Sequence, residues 1–213
     1  MQEKKVQNPL PENKQSRVKK EVFSYIRMLV IVVVAVVILT QFVIINARIP
    51  SGSMEDTIMT GDRVIGLRFS YRLKDPKRGD IVLFEYPVDP EKLYIKRCIG
   101  LPGETVTIRH GGVYINDSET PLQEDYLPEE WTIENDGYTF TVPEGCFLML
   151  GDNRNYSEDA RYWAECALHE GLAENEEEAQ EYVYVRKKQI KGKAVWKYFR
   201  RPEILTDTAD YEE

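Results

Sequence analysis

Histidine is scarce in this chain. Among 213 residues only His110 and His169 carry an imidazole, and their wide separation argues against a histidine-based metal site or an HxxxH device. Cysteine is sparse as well. Cys98, Cys146 and Cys166 are too few for a disulfide scaffold, and their spacing matches no zinc motif. Neither a metal nor another cofactor is expected, and whether any two of the cysteines pair is left open. Positive charge is outweighed, with 28 Lys+Arg against 36 Asp+Glu for a net charge of −8. An acidic total argues against a nucleic-acid partner, because neutralising phosphates needs a basic face. At 42% hydrophobic the chain is no disordered tail, and at 30% charged it is no polytopic membrane protein.

What is present is unevenly spread. Residues 1–27 hold seven basic side chains against three acidic ones, so the remainder is strongly acidic. Between these regions Met28 to Ala47 runs uncharged as MLVIVVVAVVILTQFVIINA. As a helix this segment spans about 30 Å, the thickness of the hydrocarbon layer. Its β-branched residues favour helix poorly in water. In lipid, where backbone hydrogen bonds must be satisfied internally, helix prevails. A buried strand or core helix seldom runs this long. A cleaved signal peptide has a shorter apolar core and ends in a small-x-small site, whereas this run ends in Ile45-Asn46-Ala47-Arg48. The expectation is an uncleaved single-pass anchor over 28–47 in the cell membrane. The basic flank places the N-terminus in the cytoplasm and residues 48–204 outside. Residues 1–27 read as a disordered basic tail, and 205–213 as an acidic one.

The exported part reads as mainly β, an antiparallel sandwich or barrel. Short runs at Arg63–Leu67, Asp80–Phe84, Leu93–Ile99, Thr105–Ile108, Val113–Ile115, Tyr138–Val142, Cys146–Leu150 and Ile190–Phe199 are bounded by Gly, Pro or Asp. His110-Gly111-Gly112 reads as a hairpin turn. From about 160 to 181, alanines, leucines and glutamates predict an acidic helical insertion, started near Ser157-Glu158-Asp159.

Three stretches carry candidate chemistry. Ile49-Pro50-Ser51-Gly52-Ser53-Met54 sets two hydroxyls around a glycine just past the apolar run, which a plain polar linker would also do. In Leu93-Tyr94-Ile95-Lys96-Arg97-Cys98-Ile99, strand alternation groups Tyr94, Lys96 and Cys98 on one face. A lysine drawn into such surroundings loses its proton more readily and can serve as a base for a serine hydroxyl. A surface lysine is the ordinary alternative. Finally, Leu148-Met149-Leu150-Gly151-Asp152-Asn153-Arg154 runs a strand into a turn dense with hydrogen-bonding groups, followed by Ser157, Asp159 and Arg161.

Taken in this order behind a single anchor, PSGSM, GDIVLF, YIKRCIGLPGE and GDNR…S.DAR resemble the type I signal peptidases, membrane-anchored Ser-Lys proteases. The resemblance implies Ser53 as nucleophile and Lys96 as general base. It implies an oxyanion hole from the Ser51 side chain and the Ser53 N–H. By the same resemblance Ser157 orients the Lys96 amine, and an Asp159–Arg161 salt bridge supports it. Substrates would be signal peptides of preproteins cut after Ala-x-Ala, recognised by Ile49, Pro50, Met54, Ile58, Ile81, Val82, Leu83, Phe84, Tyr94 and Ile95. The chain departs from the family at Asp56, where proline is usual, and at Asn155, Tyr156 and Ala160. A self-cleaving repressor relative would need a DNA-binding module, which the first 27 residues do not supply. The remaining alternative is a non-catalytic anchored β-domain that binds exported chains or assists fibre assembly.

Overall fold

The computed structural model describes residues 14–132, 136–198 and 201–205. Two compact units divide the chain, residues 1–42 and 43–213. The first is a helix, α1 (Lys14–Ile38), continued by a π-helical turn over Leu39–Val43. It differs from the sequence expectation at both ends. Helix already begins at Lys14 inside the basic tail, where lysine, arginine and glutamate are good helix formers and no proline intervenes between Pro11 and Pro50. At the other end the apolar run stops being α-helical well before Ala47. Thr40 turns its hydroxyl back onto the carbonyls of Val36 (2.9 Å) and Val37 (3.2 Å), where the helix loosens into the π turn. Among the described residues, Arg17–Val43 is the helix long and apolar enough to cross a membrane. The expected tails fall largely outside the described residues, at 1–13 and 206–213, as does Phe199.

The second unit is antiparallel β throughout. Its strands are β1 (Ile44–Arg48), β2 (Arg63–Leu67), β3 (Ile81–Glu85), β4 (Leu93–Gly100), β5 (Thr105–Arg109) and β6 (Gly112–Ile115). They are followed by β7 (Tyr138–Thr141), β8 (Cys146–Leu150), β9 (Val185–Arg186), β10 (Ile190–Lys197) and β11 (Glu203–Ile204). The larger sheet runs β1-β2-β10-β3-β4-β8-β9, with β11 added to β10, and the smaller runs β6-β5-β7. Ile44 to Ala47, assigned by hydropathy to the anchor, instead pairs residue for residue with Leu67 to Val64, and Arg48 with Arg63. His110 and Gly111 turn β5 into β6 with φ of 51° and 71°, as a two-residue hairpin loop requires.

Strand β3 shows why the site rests on a rigid floor. It lies between β10 and β4, and both its faces are covered. Val82 and Phe84 pack with residues of β5 to β8 and helix α2 (Ala160–His169) in one core. Ile81 and Leu83 pack with Ile45, Ile49, Met54, Ile58 and Ile95 in another. Helix α2 is capped by Asp159 and anchored by fully buried Trp163, which meets the rings of Phe84 and Tyr86 at 5.8 and 5.6 Å. The acidic insertion is therefore α2, a short α3 (Glu176–Ala179) and a 3₁₀ turn ending at Tyr182. Its alanines face inward and its glutamates mostly outward.

Candidate active site

Ser53 sits in the connection from β1 to β2, where the chain turns through Glu55 N–H to Gly52 O (3.1 Å) and Ile58 N–H to Met54 O (2.7 Å). Met54 and Ile58 are fully buried, so this turn is pinned to the core beneath it. Lys96 comes from the middle of β4, opposite Val82, with Tyr94 opposite Phe84. The two side chains meet: Lys96 Nζ lies 2.6 Å from Ser53 Oγ, and the residues are only 4% and 7% exposed. Burial pulls the Lys96 amine down from 10.5 to about 8, against the opposing pull of the Asp159, Glu158 and Asp152 charges. An amine that gives up its proton near pH 8, well below the ordinary lysine value, and touches a hydroxyl can take that hydroxyl's proton, as nucleophilic catalysis requires.

A third segment ties these two together. Asn153 donates its backbone N–H to Ser53 O (3.1 Å) and its side-chain amide to Gly52 O (3.1 Å). Asp152 accepts Thr57 Oγ1 (2.5 Å) from the serine turn and two hydrogen bonds from Arg97, the neighbour of Lys96. Arg97 donates further to Gly79 O (2.8 Å) and stacks on the Tyr126 ring. Asp159 accepts the Gly151 N–H (2.9 Å) and binds Arg161 through both oxygens (2.8 and 2.9 Å). Burial alone would raise the Asp159 carboxyl, but the Arg161 charge and hydrogen bonds outweigh it and hold the group below its usual range. Arg154 binds Glu124 and lies over Trp131. Of these groups, Arg97, Asn153, Thr57, Glu124 and Trp131 were not singled out from the sequence. One signal was available, since Arg97 alternates with Ile95 and Ile99, and a charge on an apolar face needs a buried partner.

The remaining candidates divide. Ser51 Oγ lies 3.4 Å from Ser53 Oγ. Ser157 is buried, yet its hydroxyl has no hydrogen-bond partner, and the Lys96 amine bonds to Ser53 instead. A cleft of about 430 Å³ is lined by Ile49, Pro50, Ser51, Ser53, Tyr94, Ile95 and Lys96, joined by Lys92, Leu93, Tyr156 and Glu158. Met54, Ile58, Ile81, Val82, Leu83 and Phe84, also read as pocket residues, lie beneath it and are not among its lining. They are fully or almost fully buried, because a strand flanked on both edges and a turn folded onto it spend their apolar side chains on packing.

Comparison with known proteins shows the family. The model of the family described as signal peptidase, peptidase S26 matches residues 22–199, and the chain belongs to that family. It is 36% identical over 193 residues to a probable signal peptidase I-2 of Synechocystis sp., a match covering 87% of this chain and 77% of that protein. To a signal peptidase I of Pseudomonas aeruginosa it is 33% identical over 165 residues, covering 60% of this chain and 58% of the relative. A crystal structure of a signal peptidase I from Enterococcus faecalis, 33% identical, covers 56% of this chain and 97% of its own, with a TM-score of 0.41.

Proposed function

We propose that the chain is a membrane-anchored serine endopeptidase that removes signal peptides from exported preproteins after Ala-x-Ala. In this reading α1 crosses the bilayer once with its basic end in the cytoplasm, and the β unit works outside. Ser53 Oγ attacks the scissile carbonyl while its proton passes to the neutral Lys96 amine. The resulting oxyanion is received by the Ser53 N–H, which no described hydrogen bond uses, and by the Ser51 hydroxyl. Lys96 then gives its proton to the leaving amine, and the peptide C–N bond breaks to leave an acyl ester on Ser53. A water gives a proton to the same amine as its oxygen attacks the ester, and Lys96 returns that proton to Ser53 Oγ as the ester C–O bond breaks and the product acid leaves. Ser157, buried and without a partner, is the group that would hold the amine once it turns away from Ser53. Asp159 and Arg161 brace the loop that carries it.

The observation carrying this reading is the 2.6 Å contact between a buried amine and a buried hydroxyl in a cleft. The test is cleavage of a preprotein bearing Ala-x-Ala by the detergent-solubilised chain. Ser53→Ala and Lys96→Ala abolish cutting while leaving the circular dichroism spectrum intact. Normal turnover by either variant sinks the assignment. The non-catalytic alternative, a binding domain for exported chains, predicts substrate capture without any cut.

A further inference from the structure

One wall of the cleft carries a charge that the peptidase chemistry leaves unused. Glu158 lines the same cavity as Ser53 and Lys96. Its Oε1 lies 3.4 Å from the Tyr94 hydroxyl and 3.5 Å from the Tyr86 hydroxyl. The two rings stack at 4.2 Å with an interplanar angle of 4°, and the Tyr94 ring also stands 5.4 Å from Lys96 Nζ. A single tyrosine thus bridges the reacting amine and this carboxylate.

Glu158 acts on the Lys92 and Lys96 charges only at a distance, without a direct ion pair. Among the described residues no lysine or arginine forms an ion pair with it. Lys92, the other cation of the cleft wall, is paired with Asp89 at 3.0 Å, and nearby Arg161 is committed to Asp159. A carboxylate beside stacked aromatic rings, at the edge of an acidic unit, is equipped to receive a cation. We infer that Glu158 is a specificity-determining residue whose carboxylate receives a Lys or Arg side chain of the substrate within a few positions of the scissile bond. This inference rests on the serine-peptidase reading of the cleft.

A plainer role is available and makes a different prediction. Glu158 immediately precedes Asp159, the N-cap of α2, where the helix dipole favours negative charge. A residue kept only for that purpose alters stability and does not discriminate between substrates. A substrate cation on Glu158 has a second consequence. The Glu158 charge is one of those, after Asp159, that oppose the effect of burial and favour the protonated amine of Lys96. Neutralising it on binding frees the base, so the preference extends to kcat as well as KM.

The experiment uses the full chain in detergent and Ala-x-Ala peptides. Lysine or its uncharged isostere norleucine is placed in turn at each of the four positions on either side of the cut. At one or two positions lysine raises kcat/KM by about 5-fold at low salt, the scale of a partly exposed ion pair. That advantage shrinks at high salt, disappears in Glu158→Gln, and passes to glutamate peptides in Glu158→Lys. Equal cutting of both peptides at every position, or a lysine preference that survives in Glu158→Gln, overturns the inference and leaves the peptidase assignment standing. Peptide binding to Ser53→Ala, followed by calorimetry, separates the two failures. A wild-type chain that cuts nothing while Ser53→Ala still binds lysine peptides more tightly removes the peptidase reading and keeps the cation site. Absence of both cutting and preferential binding removes both.

Discussion

Arg97 and Asp152 form a two-pronged ion pair, Nε to Oδ1 at 2.8 Å and Nη2 to Oδ2 at 2.6 Å, with neither side chain open to solvent. Through Thr57, the same carboxylate holds the turn that carries Ser53. Removing one partner strands a charge in the interior, at a cost of about 3–5 kcal/mol. Asp152→Asn and Arg97→Met therefore lower the thermal midpoint and reduce turnover together. A double replacement by apolar residues of matching volume recovers more of the stability than of the activity. Thermal unfolding beside peptide cleavage checks both statements.

The pH dependence follows from Lys96. With its amine at about 8 in the folded chain, cleavage climbs about tenfold per pH unit below that value and levels off above it. Stability moves in the same direction. Between about 8 and 10.5 the unfolded chain binds the extra proton, so folding strengthens as pH rises through that window. Below it the burial penalty is constant, on the order of 3 kcal/mol. Lys96→Met is inactive, is at least as stable as the wild type at pH 7, and loses the alkaline gain. Denaturant titrations at pH 7 and 10 measure the difference.

Gly151 is the point of closest approach between the two loops of the site. A Cβ there would stand 2.1 Å from Ser157 Oγ and 2.5 Å from Ser53 O. Rotation moves the Ser157 hydroxyl, but neither the Ser157 Cβ, 2.6 Å away, nor the Ser53 carbonyl can yield that way. Gly151→Ala thus displaces the nucleophile turn, lowering kcat by more than tenfold with a stability loss of about 1–3 kcal/mol. A single-turnover assay together with thermal unfolding resolves the two effects.

Three free thiols differ in access. Cys98 is fully buried, and burial pushes its thiol far above the ordinary value. Cys146 and Cys166 are half-buried, with smaller upward displacements by burial. A maleimide reagent modifies Cys146 and Cys166 in the native chain, while Cys98 reacts only after denaturation. Mass spectrometry of labelled peptides reads this directly.

Strand β1 makes the boundary of the β unit testable. Removing residues 1–42 leaves β1 paired to β2 and Ile45 in the core. Removal through residue 48 takes away Ile45 and leaves the β2 edge unpaired. The shorter deletion preserves the thermal midpoint, whereas the longer one lowers it and promotes aggregation, as differential scanning and size exclusion will show.

Much of this architecture could be read from the chain. Strands β2 to β8 and β10 announced themselves by alternation and by the Gly, Pro and Asp between them, and β8 falls where the sequence set it, whereas the two-residue strands β9 and β11 gave no such signal. The helical insertion followed from alanine and glutamate. Ile44 to Ala47 was misread because apolar character says that a segment avoids water, and only the partner strand at Arg63–Leu67 makes it β. Apolar character alone likewise does not say whether the β3 residues serve packing or a substrate, and the fold packs them into two cores. Hydroxyls and charges were harder still. The pairing of Arg97 with Asp152 and the place of Glu158 in the cleft depend on loops meeting from distant parts of the chain. No local pattern encodes such meetings.

Neighbouring residues of β4 face opposite ways, Lys96 toward the serine and Arg97 into the interior. The strand therefore has a reading frame. Losing one residue between Leu93 and Ile95 would bring a guanidinium to the hydroxyl, and a guanidinium keeps its proton at any pH a cell experiences. Point substitutions can adjust this enzyme by degrees, but a single-residue deletion here would silence it outright.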